Sequence, residues 1–244
     1  MFVFPSEREN VVVRKNAGKT RKIAVKTVSR RPRVLLADDH AVLLDGLKKL
    51  LEEEYELVGT AANGRRLVAA ARRLRPDIVV LDISMPLLNG IDAARQIREA
   101  VPTAKLLFLT VHADSAYVEE AFRAGALGYV LKHAAAHELF VALRKVFRGH
   151  AYVSPMIGKH LLPSLLKPPK RQGPAQRLGV RQREVLQLVA EGRQNKEIAA
   201  VLSISVKTVE YHKSRIMSRL DIHTAAGLTR YAIHHGILAP LLPR

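Results

Sequence analysis

The 244 residues contain no cysteine and no tryptophan, and aromatic side chains make up only 5% of them. Without thiols, disulfides, thiolate nucleophiles and cysteine-bearing metal centres are all excluded, and a cytoplasmic setting is expected. No apolar run approaches the roughly 18 residues that would read as a membrane span. The opening MFVF is too short for a signal-peptide core, so neither membrane insertion nor export is expected. Acidic charge is also scarce, with 22 Asp and Glu against 40 Lys and Arg, for a net charge of +18. Apolar residues nonetheless make up 48%, enough to build real cores, which rules out disorder throughout.

The charge is unevenly placed. Residues 1–32 carry 9 basic and 2 acidic groups, residues 33–150 carry 16 and 15, residues 151–174 carry 4 and 0, and residues 175–244 carry 11 and 5. The first segment lacks a sustained period and reads as a flexible, basic, disordered arm. Its AGKT at 17–20 fails as a phosphate-binding loop, because the glycine of that pattern would have to stand at Val13 and no apolar strand runs into it. The last segment is compact, periodic and basic, which suits a polyanion better than a membrane.

Between 33 and 150, strand-like runs (RVLLA, ELVGTA, DIVVL, KLLFLT, GYVL) alternate with helix-like ones. Five strands and five helices with short connections imply right-handed crossovers and a doubly wound, five-stranded parallel α/β sheet. A linker is expected over 151–177; its part from 163 to 177 alone holds four of the 12 prolines. Beyond it, 178–240 shows four helical patterns and no strands, a small all-α domain.

Chemistry concentrates at the carboxyl ends of the strands, the edge where open α/β sheets bind ligands. In IVVLDISMP a run built to be buried on both faces ends in Asp82; the first strand ends in Asp38 and Asp39, the fourth in Thr110, the fifth in Lys132. Taken singly, each is an ordinary strand-end or helix-capping residue. Together they form a cleft whose carboxylates repel one another unless a cation joins them. A hard divalent ion such as Mg²⁺ fits an oxygen-only donor set. A metal, a reactive carboxylate, a hydroxyl and an ammonium make an apparatus for moving a phosphoryl group, with Asp82 as nucleophile and Thr110 and Lys132 contacting the phosphoryl oxygens.

ADDH, LDISMP, LT and GYVLK occur in the order and spacing of response-regulator receiver domains, so residues 33–150 resemble that flavodoxin-like family. The resemblance implies that Asp82 is the phospho-acceptor and that Asp38, Asp39, Asp82 and the Ser84 backbone carbonyl bind Mg²⁺. It also implies that Thr110 and Lys132 contact the phosphoryl group, and that Tyr129 is an aromatic switch following Thr110. A rival of another class, an aspartyl-phosphate hydrolase, would place a second Asp two residues after the first, where this chain has Ser84. A histidine metal site at His133 and His137 has four-residue spacing but no Glu after the first, and both residues read as solvated surface.

In the C-terminal domain, Ile198, Ala199 and Leu202 mark one apolar face, and Val206, Val209, Ile216 and Leu220 another after a turn; these are two helices packed at an angle. Ser205 is a natural N-cap. The opposite face of the second helix presents Lys207, Thr208, Glu210, Tyr211, Lys213, Ser214 and Arg215, a largely cationic stripe that fits the DNA major groove. REVLQLVAEG, NKEIA and SVKTVEYH resemble the LuxR-type helix-turn-helix domain, and with the receiver the chain resembles the NarL/FixJ response regulators. The resemblance implies a transcription regulator rather than an enzyme, a sensor histidine kinase as phosphodonor, double-stranded DNA as partner, and a homodimer through the last helix around 224–235. Two departures stand out. Gly179-Val180 replaces the usual Thr-Pro, and Ser203 occupies a turn position that glycine would favour.

Overall fold

The computed structural model describes residues 11–16, 19–24, 30–134, 136–158 and 178–238. In the N-terminal arm, where the sequence predicts disorder, β1 (Val11–Asn16) and β2 (Lys19–Ala24) pair antiparallel with Arg14 opposite Arg21. Lys19 and Thr20 thus lie in a strand and not in a loop opening a helix, as a phosphate-binding loop would require.

The receiver follows the predicted alternation: β3 (Arg33–Ala37), α1 (Ala41–Leu51), β4 (Glu56–Ala61), α2 (Gly64–Leu74), β5 (Ile78–Leu81), α3 (Gly90–Ala100), β6 (Lys105–Thr110), α4 (Ser115–Arg123), β7 (Ala126–Leu131) and α5 (Ala136–Phe147). All neighbouring strands run parallel in the order β4-β3-β5-β6-β7-β8, where β8 (Tyr152–Val153) is a sixth strand that the five-strand reading missed. Every residue of β5 is buried, as a central strand covered on both faces must be. Side chains alternate between two cores. Leu35, Leu106 and Phe108 pack toward α2, α3 and α4, whereas Leu36, Leu107 and Leu109 pack toward α1 and α5.

β8 also moves the start of the linker. Ser154 is buried, its N–H donates to the Tyr129 carbonyl at 2.9 Å, its hydroxyl bonds Glu138, and Ile157 joins the receiver core. Tyr152 and Val153 finish the receiver sheet, and Ser154 and Ile157 pack onto the receiver; linker residues 159–177 lie outside the described residues.

The C-terminal domain consists of α6 (Val180–Ala190), α7 (Asn195–Leu202), α8 (Val206–Leu220) and α9 (Ala225–His234) around Val185, Leu186, Leu188, Ile198, Val209, Ile216 and Leu228. Gly179 has no side chain to cap α6, and Gln182 Oε1 accepts from the Gly179 N–H at 3.2 Å instead. Ser203 sits in the turn with φ 53°, the left-handed conformation expected to suit glycine. Val206, grouped with the apolar face in the sequence, is exposed in the first turn of α8. Among the described residues no helix is long and apolar enough to cross a membrane.

Candidate functional site

Asp38, Asp82 and Lys132 are each the first residue past a parallel strand and Thr110 is the last of one, and ladder bonds fix them there. The Asp38 N–H donates to the Ala61 carbonyl at 3.1 Å, the Asp82 N–H to Ala37 at 2.9 Å, and the Lys132 N–H to Thr110 at 2.8 Å. Three strand ends thereby converge. The Lys132 ammonium lies 2.6 Å from Asp38 Oδ2 and 2.7 Å from Asp82 Oδ2, with both carboxylates almost wholly buried. Burial pulls the Lys132 pKa down, but the charge of Asp82 and the hydrogen bonds to Asp38 and Asp82 more than reverse it, and the net displacement is upward. The other oxygen of Asp82 accepts from the Ile83 N–H at 2.6 Å.

Asp38 and Asp39 do not cap α1: the N-cap is His40, which makes no side-chain cap bond. The His40 ring contacts Asp38 Oδ1 at 2.9 Å and Asp39 Oδ1 at 3.0 Å, and Asp39 is more exposed than Asp38. Thr110 is fully buried and accepts from the His112 N–H at 3.4 Å. Tyr129 is equally buried; its hydroxyl donates to the His112 carbonyl at 2.8 Å, and burial pushes its pKa far up.

Of the predicted residues, Asp38, Asp82 and Lys132 are in direct contact. Asp39 is tied to that group through His40. Thr110 and Tyr129 meet at His112, to which the Ser84 hydroxyl also bonds through Nε2 at 2.7 Å. His40 and His112 carried no role in the sequence reading. The signal for both was position: one follows the paired aspartates and the other stands two residues after Thr110. The His112 ring stacks on Tyr117 at 4.2 Å, and its pKa is lowered by burial against the opposing pull of Asp82.

The donor set suits a hard divalent ion. Asp38 and Asp82 already share one cation, and the ligand atoms of Asp38, Asp39 and His40 lie within 4.8 Å of one another. All three carboxylates offer oxygen, and the Ser84 carbonyl belongs to the turn that follows Asp82.

On α8, Ser205 caps the helix by accepting from the Thr208 N–H at 3.0 Å, and its hydroxyl also bonds that of Thr208. Val209 and Ile216 are buried; Lys207, Glu210, Tyr211, Ser214 and Arg215 are exposed, and Thr208 and Lys213 are half-buried. His133 contacts the Met156 sulfur, and both His133 and His137 are exposed.

Two family models match the chain: "Response regulator receiver domain" over residues 34–144 and "Bacterial regulatory proteins, luxR family" over residues 176–232. The transcriptional regulatory protein MctR of Rhizobium johnstonii is 37% identical, over 87% of this chain and 99% of its own. The response regulator UvrY of Escherichia coli is 34% identical, over 84% of this chain and 94% of its own. A solved LuxR-family two-component response regulator from Aurantimonas is 34% identical with a TM-score of 0.54, covering 57% of this chain and all of its own. The response regulator RcsB in complex with DNA is 28% identical with a TM-score of 0.52, over 83% of this chain and 98% of its own. The family is one of DNA-binding regulators and not a class of enzymes. With a receiver pocket at the strand ends and a groove-sized helix in the second domain, the chain belongs to the two-component response regulators of the LuxR-type, NarL/FixJ family.

Proposed function

We propose that Asp82 accepts a phosphoryl group from the phosphohistidine of a sensor histidine kinase in the cytoplasm, and that the modification governs how α8 engages DNA. The observation that carries this reading is the Lys132 ammonium bridging Asp38 and Asp82 in one buried pocket. A carboxylate oxygen of Asp82 attacks phosphorus, the P–N bond breaks, its electron pair returns to the imidazole, and an acyl phosphate remains. Asp38, Asp39, Asp82 and the Ser84 carbonyl would hold Mg²⁺, which neutralises charge on the phosphoryl oxygens. Lys132 exchanges its bond to Asp82 for one to the incoming group. The Thr110 hydroxyl leaves the His112 N–H for a phosphoryl oxygen, and Tyr129, held by the same residue, follows. About −1.5 to −2 of charge arrives at the sheet edge.

Incubation with Mg²⁺ and acetyl phosphate should add one phosphoryl group by intact mass. No gain, or a gain that persists in Asp82→Asn, would refute the assignment.

For α8, Lys207, Lys213 and Arg215 grip phosphates and Glu210 reads a base edge, with two protomers paired through α9 on half-sites about 10 base pairs apart. That the structural neighbour RcsB is solved in complex with DNA supports DNA as the partner. Alanine at Lys207, Lys213 or Arg215 should each weaken binding to all sequences alike and flatten the salt slope by about 1. A slope unchanged in all three would remove α8 from the interface. Equal operator affinity with and without acetyl phosphate would instead favour a regulator indifferent to Asp82.

A further inference from the structure

The segment directly behind Asp82 seats the DNA-binding domain. The Asn89 N–H donates to Gln187 Oε1 at 2.7 Å, the Asn89 side-chain amide donates to the same oxygen at 3.2 Å, and Gln187 Nε2 donates to the Met85 carbonyl at 3.0 Å. Gln187 is 1% exposed, so this amide is desolvated and fully used, the condition under which a buried polar group specifies one geometry. The Leu87 N–H donates to Glu191 at 2.9 Å, and Arg183 Nε lies 2.8 Å from the buried Asp92 carboxylate. Gln187, Glu191 and Arg183 belong to α6 or the residue that ends it.

Leu87 is the informative residue. Its φ is 65°, a left-handed conformation that is strained for a non-glycine residue. Its side chain packs against the core of the other domain. Meanwhile α8, two helices further along, keeps Lys207, Glu210, Tyr211, Ser214 and Arg215 exposed, Tyr211 by 59%. A receiver that hid the DNA-reading face would cover those side chains; this one holds the domain by α6 and by the turn after α9, where the Asn89 side-chain amide donates to the Ile237 carbonyl at 3.4 Å and Tyr117 lies against Gly236.

We infer that Leu87 is a docking peg, and that the seated arrangement, held by Leu87 and the Gln187 clasp, is a DNA-reading state that presents α8 outward and not a masked state. The inference rests on the reading of α8 as the DNA-contacting helix. Its partner is duplex DNA carrying two half-sites, on which two seated domains present their helices in fixed relation.

Leu87→Gly is the discriminating variant, because glycine relieves the backbone and removes only the peg; Gln187→Ala opens the same seat from the other side. The probe is a duplex selected from a random-sequence library by the wild-type full chain, beside the same duplex with one half-site scrambled. Both variants should expand in small-angle scattering, lose about ten-fold affinity or more for the intact duplex, and keep wild-type affinity for the half-site duplex. Affinity that rises in both variants would mean that seating masks the domain, and unchanged affinity that seating is irrelevant; either overturns the inference while the assignment of α8 stands. Failure of the wild-type chain to select any duplex would sink that assignment and the inference with it.

Discussion

Lys132→Met should lower the stability of the receiver by about 3–5 kcal/mol, the usual cost of stripping one partner from a buried ionic group. The ammonium is the shared neighbour of Asp38 Oδ2 and Asp82 Oδ2, and without it two nearly inaccessible carboxylates face each other uncompensated. The pH dependence follows from the direction of the lysine shift. A pKa held above the ordinary lysine value gives stability that is fully present below that value and is lost only as pH rises through the folded one. The difference between wild type and variant should therefore be flat between about pH 6 and 9 and shrink only in strong alkali. Urea unfolding of both chains across that range measures it. A difference below about 1 kcal/mol would show that the pocket carries its charges without the lysine. Phosphorylation from acetyl phosphate should fall in the same variant, since the ammonium that pairs with the incoming group is gone.

Gly90→Ala should be nearly as damaging, at about 3 kcal/mol, the upper range for overpacking a close-packed site. A methyl group on Gly90 would overlap the backbone carbonyl of Asp82, and that carbonyl cannot retreat without pulling on β5. Gly64 stands in the same relation to the Leu88 carbonyl, so the 83–90 segment is pinned at both ends by missing side chains. The Gly90 N–H also donates to the Ile83 carbonyl at 2.8 Å, a bond the displacement would break. Thermal unfolding and intact-mass phosphorylation should both suffer, because the displaced segment includes the Ser84 carbonyl. A variant as stable and as readily phosphorylated as wild type would show that this segment is softer than its packing indicates. Gly46, around which nothing lies within 4 Å, is the matched control: alanine there should be neutral or slightly stabilising.

Much of this architecture could be read from the chain. Ile78–Leu81 announces a two-faced strand because all four residues are β-favouring and apolar, and the acids and the lysine are conspicuous because each interrupts such a run. The left-handed turn at Ser203 was expected from the resemblance, because the family carries glycine at that position. What escaped had no local signature. Tyr152 and Val153 make a strand too short to show alternation. Leu87 bears none of the residue types that mark a positive φ. The clasp joins Asn89 to Gln187 across 98 positions, and no periodicity reports a contact at that range. His112 was visible as a letter, but its ring bonds the Ser84 hydroxyl 28 positions away, which only the closed fold brings within reach. In the basic arm, valines set among cations mimic an unstructured tail until their strand partners are known.

The two-residue strand after α5 bears on how the molecule survives at high concentration. A five-stranded parallel sheet has two open rims, each a row of amides ready to recruit a stranger. Here the chain spends its own Tyr152 and Val153 to close part of one rim along Gly128 and Tyr129. At the other rim, β4 begins with the charged Glu56 and meets its neighbour through an irregular register between Val34 and Leu35. Deleting residues 150–154 would then do more than shorten a tether: it would expose the backbone beside Tyr129 as an open strand edge on which a second copy can pair.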